Sequence, residues 1–275
     1  MIKLLAFDLD GTALNSNKEM TARTGEAIAR AISSGIIAIP CTGREIDRVP
    51  VDVLTIPGIK YLIVNNGSQV YSLPERKVIY SRTIERETAL STLEVCRGFE
   101  TLVFGSVGTA GVVDCEGIIW QNESAKKIAP DFLEILCIPT VDLMDFLSKG
   151  EDILYKFDLI VFDSDEHRRI WDSLSVRSDV FLTSSAEHNI EIMPPGSCKG
   201  NALKHVCSVL GVALEHVMAV GDNYNDKEML AEAGCSVAMG NSVPALLELA
   251  DSVTASCDED GLAIAIESML LNQNP

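Results

Sequence analysis

The sequence predicts an α/β protein built on a parallel sheet, with a separate α+β unit in the middle of the chain. Three short apolar runs near the start, residues 2–7, 36–40 and 61–64, each end in polar loop residues. An amphipathic stretch at 21–34, between the first two runs, has the spacing of a helix. Continuous apolar strands that alternate with helices are typical of parallel sheets covered on both faces.

The pattern changes from about residue 83 to residue 188. A helix-like stretch at 85–97 is followed by short strand-like segments at 101–104, 110–114 and 117–120, and then by further helices and strands. This change predicts that the middle region forms an α+β unit of its own.

The last third of the chain returns to the pattern of the first. Residues 202–210 place apolar side chains on one helix face, and Gly211 is suited to end that helix. Residues 217–220 and 235–239 predict two further buried strands, and 244–250 predicts another helix.

The composition argues against a protein that binds nucleic acid. The formal net charge is −18, with 40 acidic residues against 22 basic ones, and the basic residues form no run. A protein that neutralises the phosphates of a nucleic acid needs the opposite balance. A small phosphorylated metabolite remains compatible with this charge, because a divalent metal and a few cations can reverse the potential inside one pocket.

The sequence has no feature typical of an exported or membrane protein. The eight cysteines show no CxxC spacing, so we expect reduced thiols rather than a disulfide framework. The first apolar run reaches Asp8 before a signal-peptide core could form, and no run approaches the ~20 residues of a membrane span. We therefore expect a cytoplasmic protein that does not bind a membrane.

Two carboxylates, Asp8 and Asp10, directly follow the first predicted strand, and Gly11 permits a tight turn after them. In parallel sheets, ligands bind beyond the carboxyl ends of the strands. One carboxylate can attack phosphorus and form an aspartyl phosphate, while the other protonates the leaving oxygen and later deprotonates water. The alternative is an acidic turn that caps a helix.

A second acidic loop, with Asp222, Asn225 and Asp226, follows another predicted strand. Its oxygen atoms are hard ligands, which match Mg²⁺ rather than zinc. Taken alone, the loop could also be a helix start capped by Asp and Asn. The four histidines lack HxH or HExxH spacing and offer no visible zinc site.

Five further residues are candidates for phosphate or substrate binding. Lys199 stands at the entrance to a predicted helix, where the dipole disfavours a lysine unless an anion pairs with it; the alternative is an exposed side chain. Thr42, Gly43 and Arg44 offer a hydroxyl and backbone N–H groups at a strand end, or else form an ordinary turn. Asn66 is followed by glycine, a pair that favours a hairpin turn; because it also lies at a strand end, it is a candidate for binding as well.

Four motifs, in their order along the chain, resemble those of the haloacid dehalogenase (HAD) superfamily, specifically its Cof-type, sugar-phosphatase-like branch with a large C2-type cap. The motifs are Phe7-Asp8-Leu9-Asp10-Gly11-Thr12, Thr42-Gly43-Arg44, Lys199-Gly200 and Gly221-Asp222-Asn223-Tyr224-Asn225-Asp226. The segments Asn66-Gly67 and Ala238-Met239-Gly240-Asn241 also resemble this branch.

The resemblance implies a Rossmann-like, doubly wound parallel sheet core formed by residues 1–82 and 189–275. It also implies an inserted α+β cap domain, residues 83–188, that closes over the site and selects the substrate. The implied activity is that of a Mg²⁺-dependent phosphatase acting on a small phosphomonoester.

The resemblance further implies roles for the site residues. Asp8 would be the nucleophile and Asp10 the general acid and base. Mg²⁺ would be bound by Asp8, the main-chain carbonyl of Asp10, and Asp222. The residues implied to hold the phosphoryl group, or to support the lysine and the metal, are Thr42, Lys199, Asn225 and Asp226.

Two other functions remain open at this point. Phosphotransfer to another hydroxyl group, as in a phosphomutase, uses the same aspartyl phosphate step. A phosphate-dependent regulatory protein would carry the phosphate on Asp8 without turnover, although the paired Asp10 and the second acidic loop argue against this. The identity of the substrate and the oligomeric state are left open by the sequence.

Overall fold

The computed structural model describes residues 1–116, 139–150, 153–186 and 188–273. Contacts between residues divide the chain into two compact units. The first consists of Met1–Arg44, Arg48–Ser81 and Cys198–Pro275, and the second of Glu45–Asp47 and Arg82–Ser197. The strand expected at 117–120 lies outside the described residues.

The secondary structure follows the predicted alternation. In chain order the strands are β1 (Leu4–Phe7), β2 (Ile37–Pro40), β3 (Tyr61–Val64), β4 (Gln69–Ser72), β5 (Lys77–Ser81), β6 (Leu102–Val107), β7 (Ala110–Asp114), β8 (Thr140–Val141), β9 (Leu154–Ile160), β10 (Phe181–Thr183), β11 (Asn189–Met193), β12 (Val217–Gly221), β13 (Cys235–Ala238) and β14 (Ser252–Val253). The helices are α1 (Ala22–Ser33), α2 (Val51–Leu54), α3 (Arg86–Arg97), α4 (Leu143–Lys149), α5 (Ser164–Ser175), α6 (Lys199–Leu210), α7 (Lys227–Glu232), α8 (Pro244–Leu249) and α9 (Gly261–Gln273). None of these helices has the length and apolar content needed to cross a membrane.

Five parallel strands form the core sheet of the first unit, in the order β14-β13-β12-β1-β2. Strand β1 pairs with β12 on one side and β2 on the other, so that Ala6 lies beside both Ala219 and Ile39. All four residues of β1 are completely buried. This is the environment expected of a short, wholly apolar strand in a parallel sheet, and the predicted fold class is confirmed.

Two helices of the first unit begin or end at residues that favour a helix terminus. Helix α1 is capped by Thr21, whose hydroxyl oxygen accepts the backbone N–H of Thr24 at 3.1 Å. Its buried face includes Ile28, which belongs to the apolar stripe that predicted the helix. Helix α6 ends at Gly211, where φ is 66°, a left-handed conformation that glycine adopts without steric strain.

Strand β3, which the sequence grouped with the parallel strands, belongs mainly to a second sheet. It pairs antiparallel with β4 over its whole length, and β4 pairs with β5. The turn at Asn66 and Gly67 folds the chain straight back, so β3 finds its partner in the next segment. Strand β3 meets the end of β2 through a single parallel bridge between Cys41 and Ile63. The hairpin predicted at Asn66 and Gly67 is confirmed.

The second unit has a six-stranded mixed sheet in the order β10-β11-β9-β6-β7-β8. Three helices contribute to its core, which contains Leu93 of α3, Leu147 of α4, Ile170 of α5, Val103 of β6 and Phe157 of β9. This is the α+β composition expected of the middle region. The unit extends to Ser197, beyond residue 188, because β11 pairs with β9.

The second unit also buries an ion pair. The ammonium nitrogen of Lys156 lies 2.9 Å from Glu191 Oε1 and 2.7 Å from Asp158 Oδ2. Lys156 and Glu191 are 3% and 1% exposed. Burial by itself would lower the pKa of Lys156, but attraction to Asp158 and Glu191 outweighs burial and raises that pKa above its ordinary value. Lys156 is therefore charged, and the two carboxylates depend on it for compensation.

We expect Lys156→Met to lower the free energy of unfolding by about 3–5 kcal/mol, because it leaves the buried carboxylate of Glu191 without its charged partner. A matched control is Lys149→Met, which removes a lysine that pairs with Asp145 at 2.5 Å on the exposed surface of α4. That change should alter the free energy by less than about 1 kcal/mol. Urea unfolding followed by circular dichroism measures both effects, and equal effects of the two substitutions would show that burial of the Lys156 ion pair adds nothing to stability.

Candidate active site

A buried lysine lies between two buried aspartates at the carboxyl edge of the parallel sheet. The Lys199 Nζ is 2.6 Å from Asp8 Oδ1 and 2.7 Å from Asp226 Oδ1. Lys199 and Asp226 are completely buried, and Asp8 is 4% exposed. The alternative interpretation of Lys199 as an exposed lysine is therefore wrong. A lysine at a helix start is explained here by its two anionic partners.

The local backbone fixes all three side chains. Asp8 directly follows β1, and its backbone N–H donates to the carbonyl of Val220 in β12 at 3.0 Å. Lys199 is the first residue of α6. The second oxygen of Asp226 accepts the backbone N–H groups of Asp222 and Asn223 at 3.0 and 3.1 Å. Asp226 therefore closes its own loop with one oxygen and holds the lysine with the other.

Asp222 completes an acidic cluster with Asp8 and Asp226. Each of the three side chains has a carboxylate oxygen within 4.8 Å of the others. Thr12 donates its hydroxyl to Asp222 Oδ1 at 2.9 Å. Gly11 has φ 80°, and a Cβ atom there would lie 2.5 Å from Asp222 Oδ2. The loop after β1 can therefore approach Asp222 because residue 11 has no side chain.

The electrostatics of this cluster favour a bound cation. Burial raises the pKa of Asp8 well above its ordinary value; Lys199 opposes this rise, and Asp226 and Asp222 add to it. Burial, together with repulsion from Asp226, raises the pKa of Asp222 to about 7. Three carboxylates face one ammonium group, which leaves an excess of negative charge. Hard carboxylate oxygens with such an excess fit a divalent cation such as Mg²⁺.

Asp10, two residues from Asp8, lies in a different environment. Arg44 donates to both of its oxygens, from Nε at 2.8 Å and from a terminal nitrogen at 2.7 Å, and Lys18 lies 3.3 Å away. Burial favours the neutral acid, but the hydrogen bonds and charge of Arg44, with those of Lys18, outweigh it and lower the pKa of Asp10 to about 2. Asp10 is therefore ionised at neutral pH, and Arg44 occupies both of its oxygens.

Thr42 follows β2 and is completely buried. Its backbone N–H donates to the carbonyl of Ile63 at 2.8 Å, and its hydroxyl oxygen accepts the N–H of Arg44 at 3.1 Å. The hydroxyl retains its own O–H donor, the kind of group that a phosphoryl oxygen accepts from. Gly43 is half-buried in the same turn. The sequence made Arg44 a candidate for binding phosphate or substrate; in the structure its guanidinium group contacts Asp10.

The hairpin turn brings Asn66 to the same edge. Its backbone N–H donates to the carbonyl of Thr42 at 3.0 Å, and its Oδ1 accepts the Nδ2 of Asn225 at 3.0 Å. A Cβ atom on Gly67 would lie 2.2 Å from the carbonyl of Cys198. The turn thus packs against the start of α6. Asn66 is both a hairpin residue and a neighbour of the second acidic loop.

Sequence reasoning missed three supporting residues. Thr12 and Asn241 lie in segments that resemble the family, yet sequence reasoning assigned neither a role. The Asn241 Nδ2 donates to the carbonyl of Gly11 at 2.9 Å, and the Asn241 Oδ1 accepts the N–H of Cys257 at 2.8 Å. The motif positions could have indicated both. Lys18 carried no signal, because its contact with Asp10 depends on how the loop after β1 folds.

Comparison with known proteins shows to which family the chain is related. The model of haloacid dehalogenase-like hydrolases matches residues 5–266. Two phosphatases of Bacillus subtilis (strain 168) are each 30% identical to the chain. The 5-amino-6-(5-phospho-D-ribitylamino)uracil phosphatase YwtE aligns over 99% of this chain and 99% of its own. The phosphatase YwpJ aligns over 98% and 100%.

Solved structures give the same result. A haloacid dehalogenase-like hydrolase from B. subtilis, 29% identical, superposes with a TM-score of 0.82 over 97% of this chain and 99% of its own. A sugar phosphatase of HAD subclass IIB, 26% identical, superposes with a TM-score of 0.83 over 97% and 98%. The four motifs meet at one sheet edge and the family match spans nearly the whole chain, so this protein belongs to the haloacid dehalogenase-like hydrolases and is a phosphatase of that family.

Proposed function

We propose that the protein is a Mg²⁺-dependent phosphatase that hydrolyses a small phosphomonoester through an aspartyl phosphate on Asp8. The observation that carries this proposal is the contact of a buried lysine with Asp8 inside a cluster of three carboxylates. A sugar phosphate or a similar metabolite is the proposed substrate. Relatives named as a phosphoribitylaminouracil phosphatase and as a sugar phosphatase support this choice.

In the first step, a carboxylate oxygen of Asp8 attacks phosphorus and the bond from phosphorus to the ester oxygen breaks. The proposed role of the ammonium group of Lys199, which contacts Asp8, and of the hydroxyl of Thr42 is to stabilise charge on the phosphoryl oxygens. The leaving oxygen takes a proton from Asp10. For Asp10 to carry that proton, one of its oxygens must be released from Arg44.

In the second step, water attacks the phosphorus of the aspartyl phosphate. Asp10 accepts the proton from this water, which matches its ionised state beside Arg44 and Lys18. Inorganic phosphate leaves and the Asp8 carboxylate is regenerated. One residue thus serves as acid and then as base, and both roles require that Arg44 release one of its oxygens.

The residues proposed to hold Mg²⁺ are Asp8, the main-chain carbonyl of Asp10, and Asp222. When bound, Mg²⁺ supplies positive charge beside the phosphoryl oxygens and lowers the repulsion between the carboxylates. Asp226 supports Lys199 and the backbone of the second acidic loop. The fit rests on the hard oxygen donors and on the excess negative charge of the cluster.

A second candidate is transfer of the phosphoryl group to another alcohol, as in a phosphomutase, because both reactions share the aspartyl phosphate. The named phosphatase relatives favour water as the acceptor.

We further propose a cytoplasmic location, since the cysteines among the described residues are all free thiols, as expected in a reducing compartment.

We expect Asp8→Asn to lower phosphate release from 4-nitrophenyl phosphate by roughly three orders of magnitude or more, because the amide is not a nucleophile. Asp52→Asn, the same change at an exposed position of α2, should leave the rate unchanged. Chelation by EDTA should stop release and added Mg²⁺ should restore it. If the folded wild type released no phosphate from this ester or from a panel of sugar phosphates, the phosphatase proposal would be wrong.

We expect Mg²⁺ to raise the thermal unfolding midpoint, since a ligand that binds only the folded state stabilises it by about 2.7 kcal/mol at 100 times its Kd. Asp222→Asn should remove most of this shift, whereas Asp52→Asn should keep it. With a pKa of about 7, Asp222 is mostly protonated at lower pH, and the proton must leave before a metal binds.

The Mg²⁺ concentration needed for half of the shift should therefore rise as the pH falls below about 7. Differential scanning fluorimetry at pH 6 and pH 8 measures this directly. A midpoint that does not respond to Mg²⁺, or a response that is the same at both pH values, would count against the metal site.

A further inference from the structure

One face of the six-stranded sheet in the second unit carries polar side chains that the proposed mechanism does not use. Ser106 of β6 pairs with Lys156 of β9, and Asp158 of β9 pairs with Glu191 of β11. Paired residues of antiparallel strands, and residues two apart in one strand, project from the same face of a sheet. The opposite face contains Phe157, which packs in the core with residues of α3, α4 and α5. The four polar side chains are therefore on the face away from that core.

A third carboxylate joins these side chains from a segment that is distant in the chain. Ser106 donates its hydroxyl to Glu45 Oε1 at 2.5 Å, and Glu45 belongs to the second unit and is only 6% exposed. Burial by itself would lower the pKa of Lys156, and Glu45 is one of three carboxylates that raise it. We call the whole set the polar cluster; its members are Glu45, Ser106, Lys156, Asp158 and Glu191.

The negative charge of the polar cluster exceeds its positive charge, because three carboxylates face one ammonium group. Lys156 contacts one oxygen of Asp158 and one of Glu191, and the other oxygen of Glu191, Oε2, is buried without a hydrogen-bond partner. Burial raises the pKa of Asp158 to about 7, and Lys156 opposes this rise. The other two carboxylates of the cluster add to it. Buried carboxylates require positive charge and hydrogen bonds as compensation, and a further cation would supply what one lysine does not.

The spacing of the three carboxylates favours an ammonium group over a metal ion. A divalent metal ion needs several oxygens that converge on one point at about 2.0–2.6 Å. Among the described residues, only the acidic cluster of the active site brings oxygens of three carboxylates within 4.8 Å of one another. The carboxylates of the polar cluster therefore do not converge on a metal ion. A primary ammonium group needs only one or two acceptors and keeps its other N–H groups for water, whereas an anion would be repelled.

The polar cluster is open to solvent at Asp158. The side chain of Asp158 is 23% exposed, and that of Lys156 is 4% exposed. Asp158 Oδ1 accepts the Nδ2 of Asn189 at 3.2 Å, a longer bond than the 2.7 Å contact of its Oδ2 with Lys156. A small cation can therefore approach the cluster from the side of Asp158, next to a carboxylate oxygen that has a neutral partner.

We propose that Glu45 and Asp158, together with the charge of Glu191, bind a primary ammonium group in the second unit. The site shares no residue with the acidic cluster of the active site, and binding at it does not depend on the proposed phosphatase function. The ammonium group belongs to a free amine or to the alcohol part of a phosphate ester. In the second case the polar cluster would select esters that carry an amine.

The test uses two salts, methylammonium chloride and tetramethylammonium chloride, at equal concentrations. Both cations carry one positive charge, but only methylammonium has N–H donors. Differential scanning fluorimetry of the full chain measures the unfolding midpoint, with Mg²⁺ present to compete at the acidic cluster. Glu45→Gln removes one charge and keeps an oxygen for the hydroxyl of Ser106. Glu87→Gln, the same substitution at an exposed position of α3, is the matched control. If Glu45→Gln does not fold, Asp158→Asn takes its place.

We expect methylammonium to raise the midpoint of the wild type more than tetramethylammonium does. The Kd for methylammonium, obtained from the dependence of the midpoint on its concentration, should rise about tenfold in Glu45→Gln, as the loss of one charge-assisted hydrogen bond allows. Glu87→Gln should keep the response of the wild type. Equal responses of the wild type to the two salts, or the same Kd in Glu45→Gln and the wild type, would overturn the inference.

Competition with 4-nitrophenyl phosphate hydrolysis identifies the source of the amine. The test compounds are 2-aminoethyl phosphate and propyl phosphate, which have chains of equal length and differ in the terminal ammonium group. Inhibition about tenfold tighter by 2-aminoethyl phosphate, lost in Glu45→Gln, would assign the amine to the ester. Equal inhibition by the two compounds, together with the response to methylammonium, would assign it to a free amine. A wild type that responds to methylammonium but releases no phosphate would contradict the proposed phosphatase function and support the amine site.

Discussion

The rest of the site depends on one interaction, the contact of the buried Lys199 ammonium group with two carboxylates. A charge removed from water is tolerated only where opposite charges and hydrogen bonds compensate it, and Asp8 and Asp226 supply both. Lys199 and its two partners come from three separate segments, since Asp8 follows β1, Asp226 lies in the loop after β12 and Lys199 begins α6. The contact therefore fixes the relative positions of the loops that form the site, and the same lysine keeps one oxygen of the Asp8 carboxylate compensated.

Small residues allow these loops to approach so closely. A side chain at Gly11 would collide with the carboxylate of Asp222, and one at Gly221 would lie 2.5 Å from the Asp226 side chain. One at Gly67 would collide with the backbone at the start of α6. Gly11 and Gly221 thus face the second acidic loop, and Gly67 faces a helix that is distant in the chain. At these three glycines the backbone itself packs against its neighbours, so the loops at the carboxyl edge of the sheet lie close together.

Asp8 and Asp10 are two residues apart, yet their environments drive their pKa values in opposite directions. Burial and neighbouring carboxylates raise the pKa of Asp8, whereas Arg44 and Lys18 lower that of Asp10 to about 2. A cation in the acidic cluster would favour the ionised form of Asp8, as a nucleophile requires. The two carboxylates of the short motif thus differ because of the side chains that surround each, and the roles proposed for Asp8 and Asp10 rest on that difference.

The parallel sheet, the hairpin at Asn66 and the edge where the polar residues meet could all be predicted from the sequence. These follow from local rules, since apolar runs predict buried strands and the carboxyl ends of parallel strands share one edge. Tertiary structure alone decided the burial of Lys199, the contact of Arg44 with Asp10, the pairing of β3 with β4, and the bond between Asn66 and Asn225. Each of these depends on the direction that a side chain or strand takes once the whole unit packs. Residues 159 positions apart, as Asn66 and Asn225 are, carry no local signal that they will touch.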